Sequence, residues 1–437
     1  MNYKAKHQHS FSFNIDESGT TSSLLGSSAL SSQNIAQAQQ KLAKAYAKLT
    51  QQQDKIKLFS ICDSADELVL AQKYAAEIKE NYDKLIIFGM GGSSLGGQAL
   101  CGTKFYQLVK NQEIDLVFID NIHYHNFNIF LQELDFKKTA FLTISKSGGT
   151  LETLAQITVT LDFFKNEISQ YSAQNFYFIS ELSTNPISKL AEKYQATLLP
   201  HDPDIGGRYS CFTAVSMLPA ALSGFDLSSY QQGGQKIVSD FLDNAHDSLV
   251  FSGATTLLAA MLQGYPNQVF IPYLQRLYQM IYWYAQLFAE SLGKDGKGMT
   301  PIKALGSVDQ HSQLQLFLDG PKDKFFTFIT QSTSNLGNKI KLDTAEFPEL
   351  DYLNNNCLGD VINANQEATI ATLIEQGCPV RRFHFHEFSD QAVGEILMYF
   401  MLETILLGYA LEINPFDQPA VEIGKQKARK LLADTTI

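Results

Sequence analysis

The amino-acid sequence predicts an α/β protein with two doubly wound parallel sheets, each in a three-layer αβα arrangement, and with helical extensions at both ends. Apolar runs of strand length alternate with helical segments, a pattern typical of parallel sheets that helices cover on both faces. The same alternation resumes after the loop HDPDIGGRYSCFT and continues through the second half of the chain. Two α/β domains with a boundary near residue 200 are therefore expected.

The first half begins with a segment that has little periodic pattern. Residues 1–33 are rich in Ser, and we expect them to form an N-terminal arm. Residues 34–200 are predicted as the first domain, which starts with helical segments and continues with buried strands. These strands are predicted at 84–89, 114–120, 139–145 and 174–180.

Residues 201–437 are predicted as the second domain with C-terminal helices. Apolar runs predict strands at 267–274, 324–330 and 379–388. The longest uncharged stretch, 248–275, is interrupted by Gly264 and Pro266. It is therefore predicted as a buried helix, a turn and a strand, and no membrane is expected as a partner.

The charge balance restricts the other partners. The chain of 437 residues has 34 Lys and Arg against 45 Asp and Glu, a formal net charge of −11. A nucleic-acid binder needs a basic surface that displaces counterions, so no nucleic acid is expected as a partner. An anionic substrate would need a local site that overcomes the global field.

The five cysteines are scattered and form no CxxC pair. An odd number of separated cysteines is typical of reduced thiols in the cytosol rather than of a disulfide or zinc framework. The N-terminal residues show no apolar segment like that of a signal peptide. A cytoplasmic location is therefore expected.

A glycine cluster follows the first predicted strand. Residues 89–97 (GMGGSSLGG) open a helix, where backbone N–H groups and the helix dipole favour an anion. The dinucleotide template GxGxxG needs glycine at position 94, where this chain has Ser94. Asp120 does end the next strand, as a ribose-binding acid would, so a nicotinamide enzyme stays an alternative.

A second glycine loop follows the third predicted strand. Residues 145–153 (SKSGGTLET) offer hydroxyls, a lysine and two glycines, which suit a small phosphate monoester. The loop lacks the order GxxxxGK[ST], so a nucleoside-triphosphate site is not supported. Ser and Thr that only cap the helix are the alternative. Two such turns at one sheet edge favour the phosphate site, because ligands of open α/β sheets bind there.

The paired GxGGS and SKSGGTxET loops resemble those of the sugar-isomerase (SIS) fold. Four more segments, in order, resemble signatures of the phosphoglucose isomerase family in its shorter bacterial form. These segments are 206–210 (GGRYS), 290–294 (ESLGK), 310–312 (QHS) and 416–425 (FDQPAVEIGK). The last one departs from the family pattern FDQxGVExxK at Ala420, where the pattern has glycine.

The resemblance implies an enzyme that interconverts glucose 6-phosphate and fructose 6-phosphate by ring opening and cis-enediol proton transfer, without a cofactor or metal. Such a reaction needs a base near the two carbons and a cation near the developing oxyanion. The resemblance implies that Glu290 is the base and that Arg208 stabilises the enediolate. It assigns ring opening to His311, which lies in the polar loop SVDQHSQLQ, together with Lys425.

The resemblance also implies the substrate contacts and the assembly. The implied substrate-binding residues are Gly92, Ser93, Ser145, Lys146, Ser147, Thr150, Gly207 and Gln418. In this family the histidine comes from the neighbouring subunit, so a homodimer in which His311 crosses the interface is implied. Two helix N-termini together with Lys146, Arg208 and Lys425 are expected to make a locally positive site.

Three alternatives stay open. A non-catalytic SIS protein that binds a sugar phosphate as a sensor would keep both loops but would not need Glu290, His311 and Lys425 together. An isomerase with broader chemistry would also accept mannose 6-phosphate. His384 and His386 lie on one face of a predicted strand and could hold a metal, although no third ligand is suitably spaced.

Overall fold

The structure is a computed structural model that describes residues 11–104 and 114–434; residues 1–10 of the predicted arm lie outside this part. In the described residues the strands β1 to β10 are, in chain order, Phe13–Asp16, Lys84–Phe88, Asp115–Ile119, Thr139–Ile144, Phe176–Ser180, Thr197–Pro200, Asn267–Pro272, Thr300–Lys303, Lys324–Gln331 and Val380–Phe385. The helices α1 to α17 are Ser22–Leu25, Ser32–Thr50, Ala65–Asn81, Leu95–Gly102, Phe127–Gln132, Leu151–Phe163, Lys165–Tyr171, Pro186–Tyr194, Ala214–Leu222, Leu227–Asn244, Leu249–Gln263, Tyr278–Leu292, Gly306–Gln310, Leu314–Asp319, Leu358–Glu375, Asp390–Ala410 and Pro419–Asp434.

The described residues group into two compact units, each built from separate chain segments. The first unit contains the residues up to Thr50, Lys236–Ile281 and Leu292–Ile413. The second unit contains the residues from Gln51 to Gln235, Tyr282–Ser291 and the residues from Asn414 onward.

This grouping differs from the predicted division into an arm (1–33) and continuous domains (34–200 and 201–437). Helix α2 packs against α11 and α16, so it belongs with the first unit rather than with the strands that follow it. Strand β1 lies inside the predicted arm and pairs antiparallel with β10. Helix α9, after residue 200, packs against α3 and α4 in the second unit. Packing between helices that are distant in sequence causes the difference.

The sheet of the second unit is parallel throughout and has the strand order β3-β2-β4-β5-β6. Counted within the unit, this order is 2-1-3-4-5, the flavodoxin-like doubly wound topology rather than the 3-2-1-4-5-6 order of dinucleotide folds. The chain reverses direction across the sheet between β2 and β4. Ligands of such folds bind at the carboxyl ends of the strands that flank this point.

The four strands predicted in the first half are confirmed as β2 to β5. Every residue of β4 and β5 is buried, and since neighbouring side chains point to opposite faces, both faces of the sheet are covered. The core on one face combines strand and helix residues, among them Phe88, Phe141, Ile157, Phe176 and Ile187. Strand β6, the short edge strand TLLP, was not predicted.

The sheet of the first unit has the order β1-β10-β9-β7-β8, in which β7 to β10 are parallel. Numbered in chain order, the four parallel strands β7 to β10 lie in the order 2-1-3-4, as do the first four strands of the second unit. The prediction of two doubly wound sheets is therefore confirmed. The strands predicted at 267–274, 324–330 and 379–388 are confirmed as β7, β9 and β10. The short strands β1 and β8 were not predicted.

The long uncharged stretch forms α11, a turn at Gly264 with φ of 95°, and β7, as predicted. In the described residues, α16 is the helix long and apolar enough to cross a membrane. The first unit uses it as a core helix, because 94% of its most apolar window is buried.

A buried ion pair lies inside the first unit. Arg381 is 0% exposed and Glu403 is 1% exposed. Arg381 Nη2 donates to Glu403 Oε2 (3.0 Å), and Arg381 Nε donates to Thr327 Oγ1 (2.9 Å). The hydroxyl of Tyr399 donates to Glu403 Oε1 (3.0 Å). These bonds tie β10 to β9 and α16, so the pair joins two inner strands of the sheet to its core helix.

Removing one member of this pair should destabilise the protein more than removing both. Arg381→Met leaves a buried carboxylate without its cation, and we expect it to lower the free energy of unfolding by about 3–5 kcal/mol. The double variant Arg381→Met/Glu403→Leu removes both charges and should lose markedly less. Urea denaturation of the two variants measures the difference, and equal losses would contradict the prediction.

Candidate active site

The candidate site in the second unit is built around Arg208, in the 3-10 segment Gly207–Phe212. Its guanidinium has five N–H donors, and the side chain is only 2% exposed. The donors reach five acceptors: Ser291 Oγ (2.8 Å) from Nε, Glu290 Oε2 (3.2 Å) and Gln418 Oε1 (2.7 Å) from Nη1, and the carbonyls of Pro415 (2.6 Å) and Asp417 (3.0 Å) from Nη2. The predicted residues Arg208, Glu290 and Gln418 are therefore in direct contact.

Glu290 lies in the last turn of α12. Its side chain is 32% exposed, so a ligand can reach it. One carboxylate oxygen accepts from Arg208, and the other accepts from Gln286 Nε2 (3.1 Å). A carboxylate held by two donors but still open to solvent is suited to take a proton from a bound molecule.

Sequence reasoning missed two residues on this helix. Trp283 is fully buried and donates from its indole N–H to the carbonyl of Arg208 (3.2 Å), which positions the arginine backbone. Gln286 contacts Glu290, and its buried Oε1 has no hydrogen-bond partner among the described residues. Trp283, Gln286 and Glu290 follow a spacing of three and four residues, so they share one helix face. That spacing was the available signal.

Tyr209 is a further missed residue. Its hydroxyl donates to the Pro415 carbonyl (3.1 Å) and lies 2.9 Å from Ser291 Oγ. Burial raises the pKa of the Tyr209 phenol, so the group stays protonated and remains a donor. Tyr209 and Arg208 therefore hold the same carbonyl, which gives the C-terminal segment a double attachment.

The first glycine loop touches the Arg208 segment through backbone atoms. A Cβ on Gly92 would lie 2.2 Å from the carbonyl carbon of Gly207 and 2.6 Å from the Arg208 nitrogen. Gly91 has φ of 54°, and a Cβ there would lie 2.8 Å from Gln286 Nε2. These two glycines allow the loop to approach both Arg208 and the Glu290 helix. Ser93 ends the 3-10 turn of this loop and is partly exposed.

The second glycine loop leaves the start of α6 available to an anion. Thr150 is the N-cap residue, but in the described structure its side chain makes no capping bond to the helix. Its hydroxyl instead lies 2.9 Å from that of Ser145, which is fully buried, while Ser147 is exposed. The Thr150 side chain therefore does not cap α6, whereas Ser145 Oγ accepts a bond from the Thr150 N–H (3.4 Å). The helix N–H groups stay available, as phosphate binding requires.

Lys146 points away from this turn. Its ammonium donates to the carbonyl of Pro203 (2.6 Å) and lies 3.7 Å from Glu181. Burial, and then the charge of Lys146, lower the pKa of the nearby His201 to about 4, so this histidine is neutral at pH 7. Lys146 therefore has local partners of its own.

Lys425 lies on the exposed helix α17. Its ammonium pairs with Glu422 (2.6 Å), and both side chains are more than half exposed. Exposed pairs of this kind contribute little to stability, because water screens the two charges, so Lys425 can change partner easily. His311 belongs to the first unit, where it is exposed and follows α13. The structure thus unites Arg208, Glu290 and Gln418 by direct contact, but records other partners for Lys425 and Lys146.

The corresponding loop in the first unit holds an anion of its own. It follows β9, the third parallel strand of that unit, just as the second glycine loop follows β4. Here the carboxylate of Asp360 accepts from the backbone N–H groups of Asn335 (2.9 Å) and Cys357 (2.7 Å). These backbone bonds lower the pKa of Asp360. A side-chain carboxylate thus takes the place at the start of α15 that a phosphate would need.

The alternatives from the sequence find little support in this geometry. Asp120 accepts from Gln98 Nε2 (2.8 Å) in a sheet that lacks the dinucleotide strand order. His384 Nδ1 lies 3.0 Å from Thr330 Oγ1 and 3.2 Å from Arg382 Nη2. Burial and the Arg382 charge lower the pKa of His384. The adjacent guanidinium would also oppose a bound metal cation.

A family model described as phosphoglucose isomerase matches residues 36–436. The chain belongs to the phosphoglucose isomerase family. The resemblance inferred from the sequence motifs is therefore confirmed, and the family match includes every residue of the candidate site.

Relatives in the phosphoglucose isomerase family are identical to this chain at about a third of the aligned residues. A glucose-6-phosphate isomerase of Thermus thermophilus is 32% identical over 368 residues, 80% of this chain and 84% of that protein. A probable glucose-6-phosphate isomerase of Haloarcula marismortui is 31% identical over 350 residues, 80% of this chain and 78% of that protein.

Solved structures show the same fold. A hypothetical protein of Thermus thermophilus superposes with a TM-score of 0.85 at 28% identity, covering 96% of this chain and 100% of that chain. A glucose-6-phosphate isomerase of Chlamydia trachomatis superposes with a TM-score of 0.73 at 22% identity, covering 85% of this chain and 74% of that chain.

Gly92→Ala should disturb this family site, whereas Gly206→Ala should not. The new Cβ at position 92 would overlap the backbone at Gly207, and we expect a loss of about 1–3 kcal/mol of stability, as for other overpacked sites. At Gly206 the nearest atom to a Cβ is 3.5 Å away and φ is −68°, so alanine fits. Urea denaturation compares the two variants. Equal stability of both would show that the close approach is not required.

Proposed function

We propose that this chain catalyses the reversible isomerisation of glucose 6-phosphate to fructose 6-phosphate. The observation that carries the proposal is the 3.2 Å contact between Glu290 and Arg208, beside two loops of the kind that bind phosphate. An enediol mechanism needs such a pair, because the base takes a proton from carbon while the cation stabilises the oxyanion that forms. The reaction moves hydrogen within one molecule and involves no net redox change.

The residues then divide the reaction between them. The turn 145–150 and the start of α6 hold the phosphate through backbone N–H groups and the hydroxyls of Ser147 and Thr150, with Ser93 on the neighbouring loop. Buried Ser145 orients Thr150 through the bond between their hydroxyls. Lys146 lies at the edge of the turn and shapes it through Pro203 and Glu181 rather than by facing the ligand.

The sugar carbons lie beside Glu290 in this proposal. Glu290 removes the proton from C2 or C1 and returns it to the other carbon. Arg208 stabilises the enediolate while it keeps Gln418 in place. Gln286 orients the second carboxylate oxygen, and its unpartnered Oε1 can accept a bond from a sugar hydroxyl. The close backbone contact between Gly92 and Gly207 keeps the first glycine loop beside the Arg208 segment.

Ring opening falls to His311 and Lys425, and the active form is a homodimer. Among the described residues, the recorded partner of Lys425 is Glu422, in an exposed ion pair, so Lys425 can turn toward a sugar oxygen at small energetic expense. His311 is exposed in the first unit and thus accessible to a neighbouring copy. Helix α17 supports a dimer as well, since it buries none of its residues in the single chain, and Val421 (41%) and Ile423 (60%) stay exposed.

We further propose that each sheet forms one sugar-isomerase domain and that the enzyme acts in the cytoplasm. All five cysteines are free thiols, and four of them are buried. Free thiols persist in the reducing conditions of the cytosol.

A coupled assay tests the proposed function. Wild-type protein should convert glucose 6-phosphate in the presence of a chelator. Glu290→Gln should lower kcat by about 10²–10⁴-fold with little change in KM, because it keeps the hydrogen bonds but loses the base. Glu192→Gln removes an equal charge from the exposed surface of α8 and should leave kcat unchanged.

The same assay separates the alternatives. Near-normal activity of Glu290→Gln would exclude it as the base. A wild-type protein that binds glucose 6-phosphate without converting it would be a sensor instead. Activity lost to the chelator would require a metal. Mannose 6-phosphate as a second substrate shows whether the chemistry extends to the C2 epimer.

Mixed dimers test the shared histidine. Neither Glu290→Gln nor His311→Asn should be active alone. If His311 acts across the interface, a mixed dimer has one complete site, and random mixing should restore about a quarter of wild-type activity. Co-refolded variants, assayed after equilibration, provide the measurement. An inactive mixture that contains heterodimers would place His311 in the site of its own subunit.

A further inference from the structure

The cations predicted to attract the substrate are already paired with carboxylates. Lys146 lies 3.7 Å from Glu181, Arg208 lies 3.2 Å from Glu290, and Lys425 lies 2.6 Å from Glu422. These pairs leave little uncompensated positive charge for a phosphate dianion.

The charges close to the proposed phosphate-binding turn, residues 145–150, do not favour an anion either. Its helix α6 carries Glu152 in the first turn, where a carboxylate opposes a bound anion. Lys146, the one lysine of the loop sequence SKSGGTLET, points to Pro203 and Glu181. The site therefore needs another cation near residues 147–150.

Arg429 of α17 has that position. Its Nη2 donates to the carbonyl of Gly149 (2.9 Å), in the middle of the phosphate turn. The absence of a side chain at Gly149 allows this close approach, because a Cβ there would already lie 3.4 Å from Nη2. In the described part of the chain the recorded bond partner of Arg429 is this carbonyl, so most donors of its guanidinium stay available.

Arg429 also shares a helix face with Lys425. The two residues are four apart, which places their side chains next to each other. The hydrogen bond from Lys425, and also the charge of Arg429, lower the pKa of Glu422 one turn further back. The face of α17 that carries Lys425 is therefore the face that meets the phosphate turn.

We propose that Arg429 is a phosphate-binding residue, which donates to the substrate phosphate over the turn 145–150 and holds Lys425 beside the same ligand; this role rests on the proposed function. A guanidinium presents planar paired donors that match phosphate oxygens better than an ammonium does. The bond to Gly149 keeps the guanidinium at the edge of the turn before the ligand arrives. The phosphate then gains a cation that is not already neutralised by a carboxylate.

Three variants of Arg429 test the proposal, with inorganic phosphate and glucose 6-phosphate as probes. Arg429→Met removes the charge, and we expect both the Kd of phosphate and the KM to rise about tenfold or more. Arg429→Gln keeps a neutral donor for the Gly149 carbonyl, but it should weaken phosphate binding to a similar extent. Arg429→Lys keeps the charge, and we expect it to raise the Kd of phosphate only about threefold.

Lys427→Met is the matched control. It removes the same charge from the same helix, two residues away and thus on the opposite face, and should change the Kd by less than about twofold. Titration calorimetry measures phosphate binding, and the coupled assay measures KM and kcat.

The outcomes distinguish a failure of the proposed role of Arg429 from a failure of the proposed isomerase function. A wild-type protein without isomerase activity refutes the proposed function, while the phosphate titrations still test Arg429. Normal phosphate affinity in Arg429→Gln, or an equal loss in Lys427→Met, would overturn the role of the guanidinium. A lower kcat with unchanged phosphate affinity in Arg429→Met would do the same, because Arg429 would then only hold α17.

Discussion

The buried guanidinium of Arg208 is the constraint on which the site depends. A charge that is 2% exposed is tolerated only when its donors are satisfied, and the five bonds of Arg208 meet that condition. The acceptors come from α12 and from the segment before α17. One side chain therefore determines where the carboxylate of Glu290 and the amide of Gln418 lie.

The first glycine loop is positioned by the same segment. Gly92 lies against Gly207 through backbone atoms, so the first loop follows any movement of Arg208. The helix α12 is tied to Arg208 from the other side, through the indole of Trp283. The distances within the site thus depend on the backbone contact at Gly92, on the buried charge of Arg208 and on one face of α12. Lys425 differs, because its exposed ion pair with Glu422 leaves it free to move.

Charge in this molecule is arranged in pairs rather than as a positive pocket. The sequence predicted a locally positive site, built from two helix N-termini together with Lys146, Arg208 and Lys425, in a molecule of net charge −11. The structure instead pairs Lys146, Arg208 and Lys425 with carboxylates. The start of α6 then contributes N–H groups without a side-chain cap, and Arg429 lies at the same turn. The sequence motifs contained the first three cations but offered no sign of Arg429, which lies 280 residues from its contact.

The sequence by itself determined both parallel sheets and predicted Arg208, Glu290 and Gln418 as parts of one candidate site. Long apolar strands such as β4 and β9 are predictable because burial on both faces leaves a continuous hydrophobic run, and the motifs around Arg208 and Glu290 are local. Tertiary structure alone decided the edge strands β1, β6 and β8, since four-residue segments acquire their structure by pairing with a neighbour. It also decided the units, the partners of Lys146, and the contacts of Gln286 and Arg429. Those features depend on contacts between residues far apart in the chain, which no local pattern records.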